Sequence, residues 1–325
     1  MSTTPFKRLA LGLLVLCTGL LSTSAAVAQT YPNRPVRMIV PFAPGGGTDL
    51  VGRLVGQSLS KTLGQPIVID NRGGAGTAIG SEAVAKAPAD GYTILLNGSS
   101  MAFLPAVQKI AFNVEKDFRR VTLVSEQSFM LVVNNDVPAK NMAEFVALAK
   151  RKPDDLTYVS AGIGSATHMA SELLWRELGV QLVHIPYKGT APALTDLLGG
   201  QVDMMCDNLG VSLPHVRSGK LKALAVASKN RFPGLPDVPA LGETLPGFES
   251  IAWFGIVAPP RTPGPIVEKI AAGVREAIKL PDVQKRLAEL SAEPSGMTPA
   301  EMASFMRQEV ERWAMVIRSA SVRVE

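Results

Sequence analysis

The sequence predicts an α/β protein made of two doubly wound domains with a ligand cleft between them. Two observations lead to this prediction: strand-like apolar runs alternate with amphipathic helical runs, and the alternation occurs twice along the chain. Each series opens with a strand, a loop of small residues and a helix, and the two openings lie about 120 residues apart. In doubly wound sheets the ligand binds at the carboxyl ends of the strands, so we expect both loops to border one cleft.

The first series begins with VRMIVPFAPGGGTDLV at residues 36–51. A β-branched run ends in a proline, a glycine triplet follows, and apolar residues then recur at helical spacing. In this half the pattern predicts strands at 36–41, 65–70 and 92–96 and helices at 48–63 and 81–87. A β-α-β-α-β order of this kind is typical of a parallel sheet.

The second series has the same order. The pattern predicts strands at 156–160, 181–186 and 202–206, helices at 168–178 and 191–198, and a small-residue loop, AGIGSAT, at 161–167. We expect a strand at 130–134 to pass between the halves, and a strand at 221–227 with the proline-rich stretch 232–246 to bring the chain back. Residues 29–124 and 231–325 are therefore expected to form a discontinuous first domain, and residues 125–230 the second.

The C-terminal segment is predicted to be a helix. Thr298 and Glu301 have the spacing of a capping box, and Pro299 occupies the first helical position. Apolar residues follow at helical spacing, and we expect this stripe to pack on the first domain.

The first residues have the pattern of a secretory signal peptide. Lys7 and Arg8 precede an apolar run at 9–21, and small residues end at Ala28, after which we expect cleavage. The run is short for a permanent membrane anchor, which is the alternative interpretation. Without the leader one cysteine remains, Cys206, so no intrachain disulfide forms; an exported chain of this kind is typical of the bacterial periplasm.

Composition and spacing argue against several classes of function. Loss of the leader lowers the formal net charge from +5 to +3, and no basic cluster follows, so a nucleic-acid partner is not expected. The histidines stand 16 and 31 residues apart, which is no metal-ligand spacing. The glycine triplet lacks the lysine of a P-loop, and GIGSAT lacks the third glycine of a dinucleotide motif, so no cofactor is expected.

The two loops favour anion binding. A helix N-terminus carries unpaired N–H groups and a partial positive charge, and glycine lacks the Cβ atom that would keep an anion away from them. One such loop alone is an ordinary strand–helix connection. Two loops in equivalent positions would offer N–H groups to both ends of a small dicarboxylate or amino acid.

Two positions leave other chemistry open. Ser165 precedes a helix with His168 three residues on, so an exported serine hydrolase is an alternative, although no G-x-S-x-G motif surrounds Ser165 and a helix cap is the simpler role. Asp207, at the end of a strand, is a turn residue or a ligand anchor. If Asp207 faces the ligand, an amine-bearing ligand is favoured over a plain dicarboxylate. We assign no catalytic residue.

Four segments together resemble one protein family. They are YPNRPVRMIVPFAPGGGTDLVGRLV, VIDNRGGAGTAIGSEAVAKAPADGYT, YVSAGIGSATHMASELL and HIPYKGTAPALTDLLGGQVDMMCDN, and the likeness covers nearly the whole chain from residue 31. The chain resembles the Bug family of extracytoplasmic solute receptors of tripartite tricarboxylate transporters. The resemblance implies a type II-like periplasmic binding protein whose cleft closes on its ligand about a hinge.

The resemblance also implies a set of ligand-binding residues. In the family, backbone groups of the two loops hold a carboxylate, partly through ordered water. The matching positions here are Phe42, Ala43, Gly45, Gly46, Thr48, Asp49, Ser99, Ser100, Ser160, Ala161, Gly162, Gly164, Ser165, His168, Tyr187, Lys188 and Asp207.

The expected function is capture of a small carboxylate, which is a dicarboxylate, a tricarboxylate, an amino acid or an aromatic acid. The resemblance implies a monomer that delivers this ligand to the permease subunits of a membrane transporter. A receptor that reports to a sensor kinase is the alternative, and the sequence does not separate the two.

Overall fold

Strands and helices alternate along the chain, which confirms the predicted α/β class. The computed structural model describes residues 31–248 and 250–319, so the predicted leader and its cleavage position lie outside the described residues. The strands are β1 (Val36–Val40), β2 (Ile67–Asn71), β3 (Thr93–Gly98), β4 (Arg119–Asn134), β5 (Thr157–Ser160), β6 (Val183–Pro186), β7 (Met204–Asn208), β8 (Leu221–Val226), β9 (Ile251–Ala258) and β10 (Ala292–Pro294). The helices are α1 (Gly47–Leu63), α2 (Ala78–Ala85), α3 (Ser100–Val107), α4 (Met142–Arg151), α5 (Ala166–Leu178), α6 (Thr190–Leu198), α7 (Leu209–Arg217), α8 (Leu241–Thr244), α9 (Gly264–Ala277), α10 (Pro281–Glu289) and α11 (Pro299–Ser319), with a 3-10 helix at Ala75–Thr77.

The residues from Arg34 onward belong to one compact unit, and their strands form a single sheet. The strand order is β2-β1-β3-β9-β4-β7-β5-β6, and β8 and β10 also pair with β4. At one end β1 lies parallel to β2 and β3, and at the other β5 lies parallel to β6 and β7. In the middle, β9 runs antiparallel to β3 and β4, and β4 runs antiparallel to β7. The sheet is therefore mixed: the parallel pairing predicted for each of the two series is confirmed, and the strands between the two series pair antiparallel.

The sheet has two halves. The first half contains β1, β2, β3 and β9 with their helices, and the second contains β5, β6, β7 and β8 with theirs. Strand β4 belongs to both, because residues 119–128 pair with β9 and residues 129–133 pair with β7. Register shifts interrupt the pairing with β9 twice, and the pairing with β8 once, between Leu131 and Val132. Such bulges bend and twist a strand locally.

The apolar core has two clusters, one mainly in each half, and Met169 of α5 also packs in the first. In the first half, Ile39 and Leu95 of the sheet pack with Phe103 of α3. In the second half, Val159 and Met205 pack with the buried faces of α6 and α7. The two clusters leave a boundary between the halves. The ends of β3 and β7 lie at this boundary.

Helix α11 begins as the sequence predicts. The Thr298 N–H donates to Glu301 Oε2 at 2.8 Å, and the Glu301 N–H donates to Thr298 Oγ1 at 3.3 Å. Met302 and Met306 of its apolar stripe lie in the first-half core, which confirms the expected packing. Among the described helices, none is both long enough and apolar enough to cross a membrane.

Candidate functional site

A small cavity lies between the halves, where the loops after β1 and β5 meet the ends of β3 and β7. Its volume is about 30 Å³, which accommodates about two water molecules. The first loop (residues 41–47) and the second loop (residues 161–167) both border it. The lining residues are Phe42, Gly46, Gly47, Thr48, Gly98, Ser99, Ser100, Phe129, Ala161, Ser165, Ala166, Thr167, Thr190, Asn208, Ala252, Trp253 and Phe254.

Five of the described helices begin at this cavity: α1, α3, α5, α6 and α7. The N–H groups of a first helical turn have no partner within their own helix, and the aligned peptide dipoles make each N-terminus positive. No charged side chain from the described part of the chain lines the cavity. The site therefore combines a positive potential with hydrogen-bond donors and has no cationic side chain.

The glycine triplet brings the first loop against the second half. A Cβ atom on Gly46 would lie 2.5 Å from Thr190 Oγ1, and a Cβ atom on Gly47 would lie 2.8 Å from Asn208 Nδ2. Gly46 also precedes α1 without a side-chain cap, which leaves the first-turn N–H groups uncovered. These glycines therefore permit close contact between the halves as well as access to the helix N-terminus.

Asp49 holds the first loop in place and does not line the cavity. Its buried carboxylate accepts hydrogen bonds from Gly45 N at 2.9 Å, Arg53 Nε at 2.8 Å and Asn71 Nδ2 at 2.9 Å. Burial opposes ionisation, but these bonds and the charge of Arg53 outweigh it and lower the pKa of Asp49. A paired carboxylate of this kind is an internal anchor, so the predicted ligand-binding role becomes a supporting one.

Replacing Asp49 with alanine is expected to destabilise the protein by about 2–3 kcal/mol, because one buried acceptor serves three donors. The control is Asp155→Ala, which removes an exposed pair with Lys152 and is expected to cost less than about 1 kcal/mol. Urea unfolding of both variants measures the difference. Equal free energies of unfolding would contradict the anchoring role.

The second loop already uses several of its N–H groups. Side chains of the same half accept three of them, so the groups left for a ligand are those of the first turn of α5. The three bonds are Ala161 N to Thr167 Oγ1 at 2.9 Å, Gly162 N to Ser160 Oγ at 3.1 Å and Gly164 N to His168 Nδ1 at 3.2 Å.

The side chains of Ser165 and His168 do not form a nucleophile and base. Ser165 Oγ caps α5 by accepting from the backbone N–H of His168 at 3.3 Å, and it lies 3.1 Å from the hydroxyl of Thr167. The His168 imidazole instead accepts from Gly164. An activated serine donates its hydroxyl proton to the base, so this geometry does not support a hydrolase.

Two histidines and a tyrosine stack beneath the second loop. The His168 and His184 rings lie 4.2 Å apart between centroids, and Tyr158 stacks on His184 at 4.7 Å. His184 Nε2 lies 2.7 Å from Ser160 Oγ. Burial, and then the charge of His168, lower the pKa of His184 to about 3. Burial also lowers the pKa of His168, against the opposing charge of Glu172.

Asp207 does not reach the cavity, although the sequence prediction placed it at the ligand. It is fully buried, with its carboxylate accepting from Ser212 Oγ at 2.6 Å and from Asn208 N at 2.8 Å. Burial raises its pKa to about 7, although both hydrogen bonds oppose this. Neighbouring side chains on a strand point to opposite faces, and it is the next residue, Asn208, that lines the cavity.

Thr190 and Asn208 are cavity residues that the sequence prediction missed. They are 5% and 6% exposed, yet Thr190 Oγ1 and Asn208 Oδ1 have no hydrogen-bond partner within residues 31–248 and 250–319. Buried polar atoms of native proteins are normally paired, so these two require explanation. The available signal was position: each stands at the start of a helix after a strand of the second series.

The predicted site residues fall into two groups. Those that line the cavity are Phe42, Gly46, Thr48, Ser99, Ser100, Ala161 and Ser165. Those that the structure does not bring to the cavity are Ala43, Gly45, Asp49, Ser160, Gly162, Gly164, His168, Tyr187, Lys188 and Asp207. Several of the second group support the loops or join the halves; the Ala43 N–H donates to the Lys188 carbonyl at 3.0 Å.

A protein-family model matches most of the chain. The model of the family described as "Tripartite tricarboxylate transporter family receptor" matches residues 51–322. This range covers β2 to α11 and most of α1, so it includes both halves of the sheet.

Solved structures similar to this one include a periplasmic binding protein and two proteins with bound carboxylates. The periplasmic binding protein BugD is 40% identical, with a TM-score of 0.88 over 90% of this chain and 99% of that one. MatC from Rhodopseudomonas palustris with bound malate is 40% identical, with a TM-score of 0.85 over 88% and 100%. An R. palustris protein with adipate is 34% identical, with a TM-score of 0.86 over 90% and 99%.

Proposed function

The chain belongs to the tripartite tricarboxylate transporter receptor family, and from this premise we propose that it captures a small carboxylate in the cavity between its halves. It is a solute-binding receptor and not an enzyme. The main support is that five helix N-termini meet at one cavity. Among the described residues, no charged side chain lines this cavity. Helix N-termini stabilise anions through uncovered N–H groups and dipoles.

The remaining lining suits a carboxylate with a short carbon chain. Phe42, Phe129, Trp253 and Phe254 supply apolar surface, while hydroxyl groups and helix N–H groups supply hydrogen bonds. The unpaired Asn208 Oδ1 and Thr190 Oγ1, which both line the cavity, favour a ligand with a hydrogen-bonding substituent. The similar structures with malate and adipate support the class, and the choice within it is part of the proposal.

We propose that binding involves hinge motion. The present cavity accommodates only about two water molecules, so a dicarboxylate enters only if the halves separate. Contacts that join the halves lie around it, among them the hydrogen bond from Ala43 to Lys188. The chain passes between the halves within β4 and again between β8 and β9. We therefore propose domain boundaries near residues 124/125 and 230/231.

The cellular setting follows from the family. We propose a monomeric periplasmic protein, exported by the leader at 1–28, that delivers its ligand to the permease subunits of a tripartite tricarboxylate transporter. The family description and the similarity to periplasmic binding proteins support this role.

The purified mature protein is expected to bind a small carboxylate with one site per chain and to return it unchanged. A thermal-shift screen of dicarboxylates, tricarboxylates, amino acids and aromatic acids identifies the ligand, since binding raises the melting temperature with concentration. Calorimetry then measures the affinity, and mass spectrometry checks the recovered ligand. Methyl esters of each hit are controls, because loss of the negative charge is expected to abolish binding.

Two results would contradict this proposal. One is a chemically converted ligand after incubation, and the other is binding of a methyl ester as tight as binding of its acid.

Thr190→Val is expected to weaken binding by about fivefold to tenfold through loss of one hydroxyl. The matched control is Thr195→Val on the exposed face of the same helix, which is expected to leave the affinity unchanged.

A further inference from the structure

A second concave surface, the basic groove, lies in the first half and shares no lining residue with the cavity between the halves. Its volume is about 610 Å³. It lies between the loop before β4, the start of β4, the end of β9 and the first two turns of α11. The lining residues are Glu115, Lys116, Phe118, Arg119, Arg120, Pro260, Pro299, Ala300, Ala303 and Arg307.

The basic groove has an excess of positive charge. Lys116, Arg119, Arg120 and Arg307 line it, and Glu115 is its one acidic lining residue. None of the four cationic groups lies within ion-pair distance of a carboxylate in the described part of the chain. Other arginines of the described residues, such as Arg53, Arg231 and Arg312, form ion pairs with carboxylates. Four cations beside a single carboxylate repel one another, and a bound anion would reduce that repulsion.

Arg120 gives the groove a fixed donor. Its side chain is only 9% exposed, and its guanidinium is oriented by bonds to the carbonyls of Phe118 and Val114, both at 2.8 Å. Both acceptors are neutral, so they orient the guanidinium without neutralising its charge. Burial lowers the pKa of Arg120, Glu115 opposes this, and Arg307 adds to it. A buried charge without an ion pair is costly, and Glu115 lies nearby without pairing with Arg120, which favours an anion at the open side of the guanidinium.

The N-terminus of α11 faces the same groove. Pro299 and Ala300 line it, and they are the first two residues of a helix of 21 residues. The Ala300 N–H has no partner within the helix, and the helix dipole adds positive potential there. The carboxylate of Glu301 is bound to Thr298 and does not line the groove. The groove thus combines a buried guanidinium, exposed cations and a helix N-terminus.

We propose that the basic groove is a second anion-binding site, which takes an oxyanion group, either a carboxylate or a phosphate. The guanidinium of Arg120 provides the fixed charge, and Arg119 and Arg307 close on the anion from two sides. The basic groove shares no lining residue with the cavity between the halves. Its proposed anion binding therefore does not depend on carboxylate binding in that cavity.

The test is an NMR titration of the ¹⁵N-labelled mature protein at constant ionic strength. Two probes are used: inorganic phosphate and a hexaglutamate peptide, with hexaglutamine as the uncharged control. Saturable shifts of the arginine Nε–Hε signals of Arg119, Arg120 and Arg307 are expected with at least one charged probe. Shifts with phosphate alone assign a phosphate ligand, and shifts with the peptide alone assign a carboxylate ligand.

Matched variants separate a site from general charge attraction. Arg119→Gln with Arg307→Gln is expected to raise the dissociation constant by at least about tenfold through loss of charge-assisted bonds. Arg151→Gln with Lys285→Gln removes the same charge from other exposed positions and is expected to change it by less than about twofold. Shifts that do not saturate, or equal losses in both double variants, would overturn the proposal.

Discussion

Replacing Gly76 with alanine is expected to hold the two halves apart and to weaken carboxylate binding by at least about 100-fold, which corresponds to about 3 kcal/mol. A Cβ atom at this position would lie 2.0 Å from the carbonyl oxygen of Ile163 and 3.0 Å from the carbonyl carbon of Gly164. Both atoms belong to the backbone of the second loop, which cannot rotate away as a side chain can. The clash exists only while the halves are in contact, so the closed state is the one destabilised.

The matched control for this variant is Gly179→Ala. Gly179 has a φ of +62°, close to the +57° of Gly76, and a Cβ atom there would meet nothing within 4 Å. Both variants therefore carry the strain of alanine in the left-handed region, and only one carries the clash. Calorimetry measures the affinity, and small-angle scattering with saturating ligand measures the separation of the halves. Equal affinities in the two variants would show that contact at Gly76 is not needed for binding.

Acidification is expected to destabilise the protein through the stacked histidines. The unfolded chain takes up a proton on His184 near pH 6.5, whereas the folded chain does so only near pH 3. The unfolded state therefore binds more protons between these values, and the free energy of unfolding falls as the pH falls through this range. From pH 7.5 to pH 4.5 this residue contributes a loss of about 2–3 kcal/mol.

Urea unfolding at the two pH values tests this prediction by comparing variants. His184→Gln keeps a polar group near Ser160 but cannot take up the proton, so its loss of stability on acidification is expected to be smaller than in the parent protein. His215→Gln removes a histidine that lies outside the stack and is expected to leave the loss unchanged. The same pH dependence in all three proteins would rule out the stack as its source. Glu172 contacts the stack through its hydrogen bond with Tyr158 and is unchanged in all three proteins.

The alternation of strands and helices was predictable because it depends on local patterns. Segments such as 48–63 and 191–198 show helical spacing, and the structure places α1 and α6 there to within one residue. Strand β4 was recognised only at 130–134, because the polar stretch SEQS at 125–128 interrupts its apolar alternation. The antiparallel pairings of β4 and β9 depend on how the chain crosses between the halves, and no local pattern records that.

The candidate site was predictable only in outline. Helix N-termini after small-residue loops are visible in a sequence, so the two loops were identified. Which residue of a pair faces the cavity depends on strand register, and for this reason the prediction chose Asp207 where the structure presents Asn208. Contacts between distant segments, such as Gly46 with Thr190, exist only after both halves fold.

The passage of β4 through both halves has a consequence for cooperativity. If one half melted alone, the corresponding part of β4 would lose its partners and expose unpaired backbone groups along a sheet edge. The surviving half would keep a strand whose remainder is unfolded, so neither half is an independent folding unit. We therefore expect the protein to melt in a single transition, in which a ligand that contacts only a few loop residues stabilises every strand of the sheet.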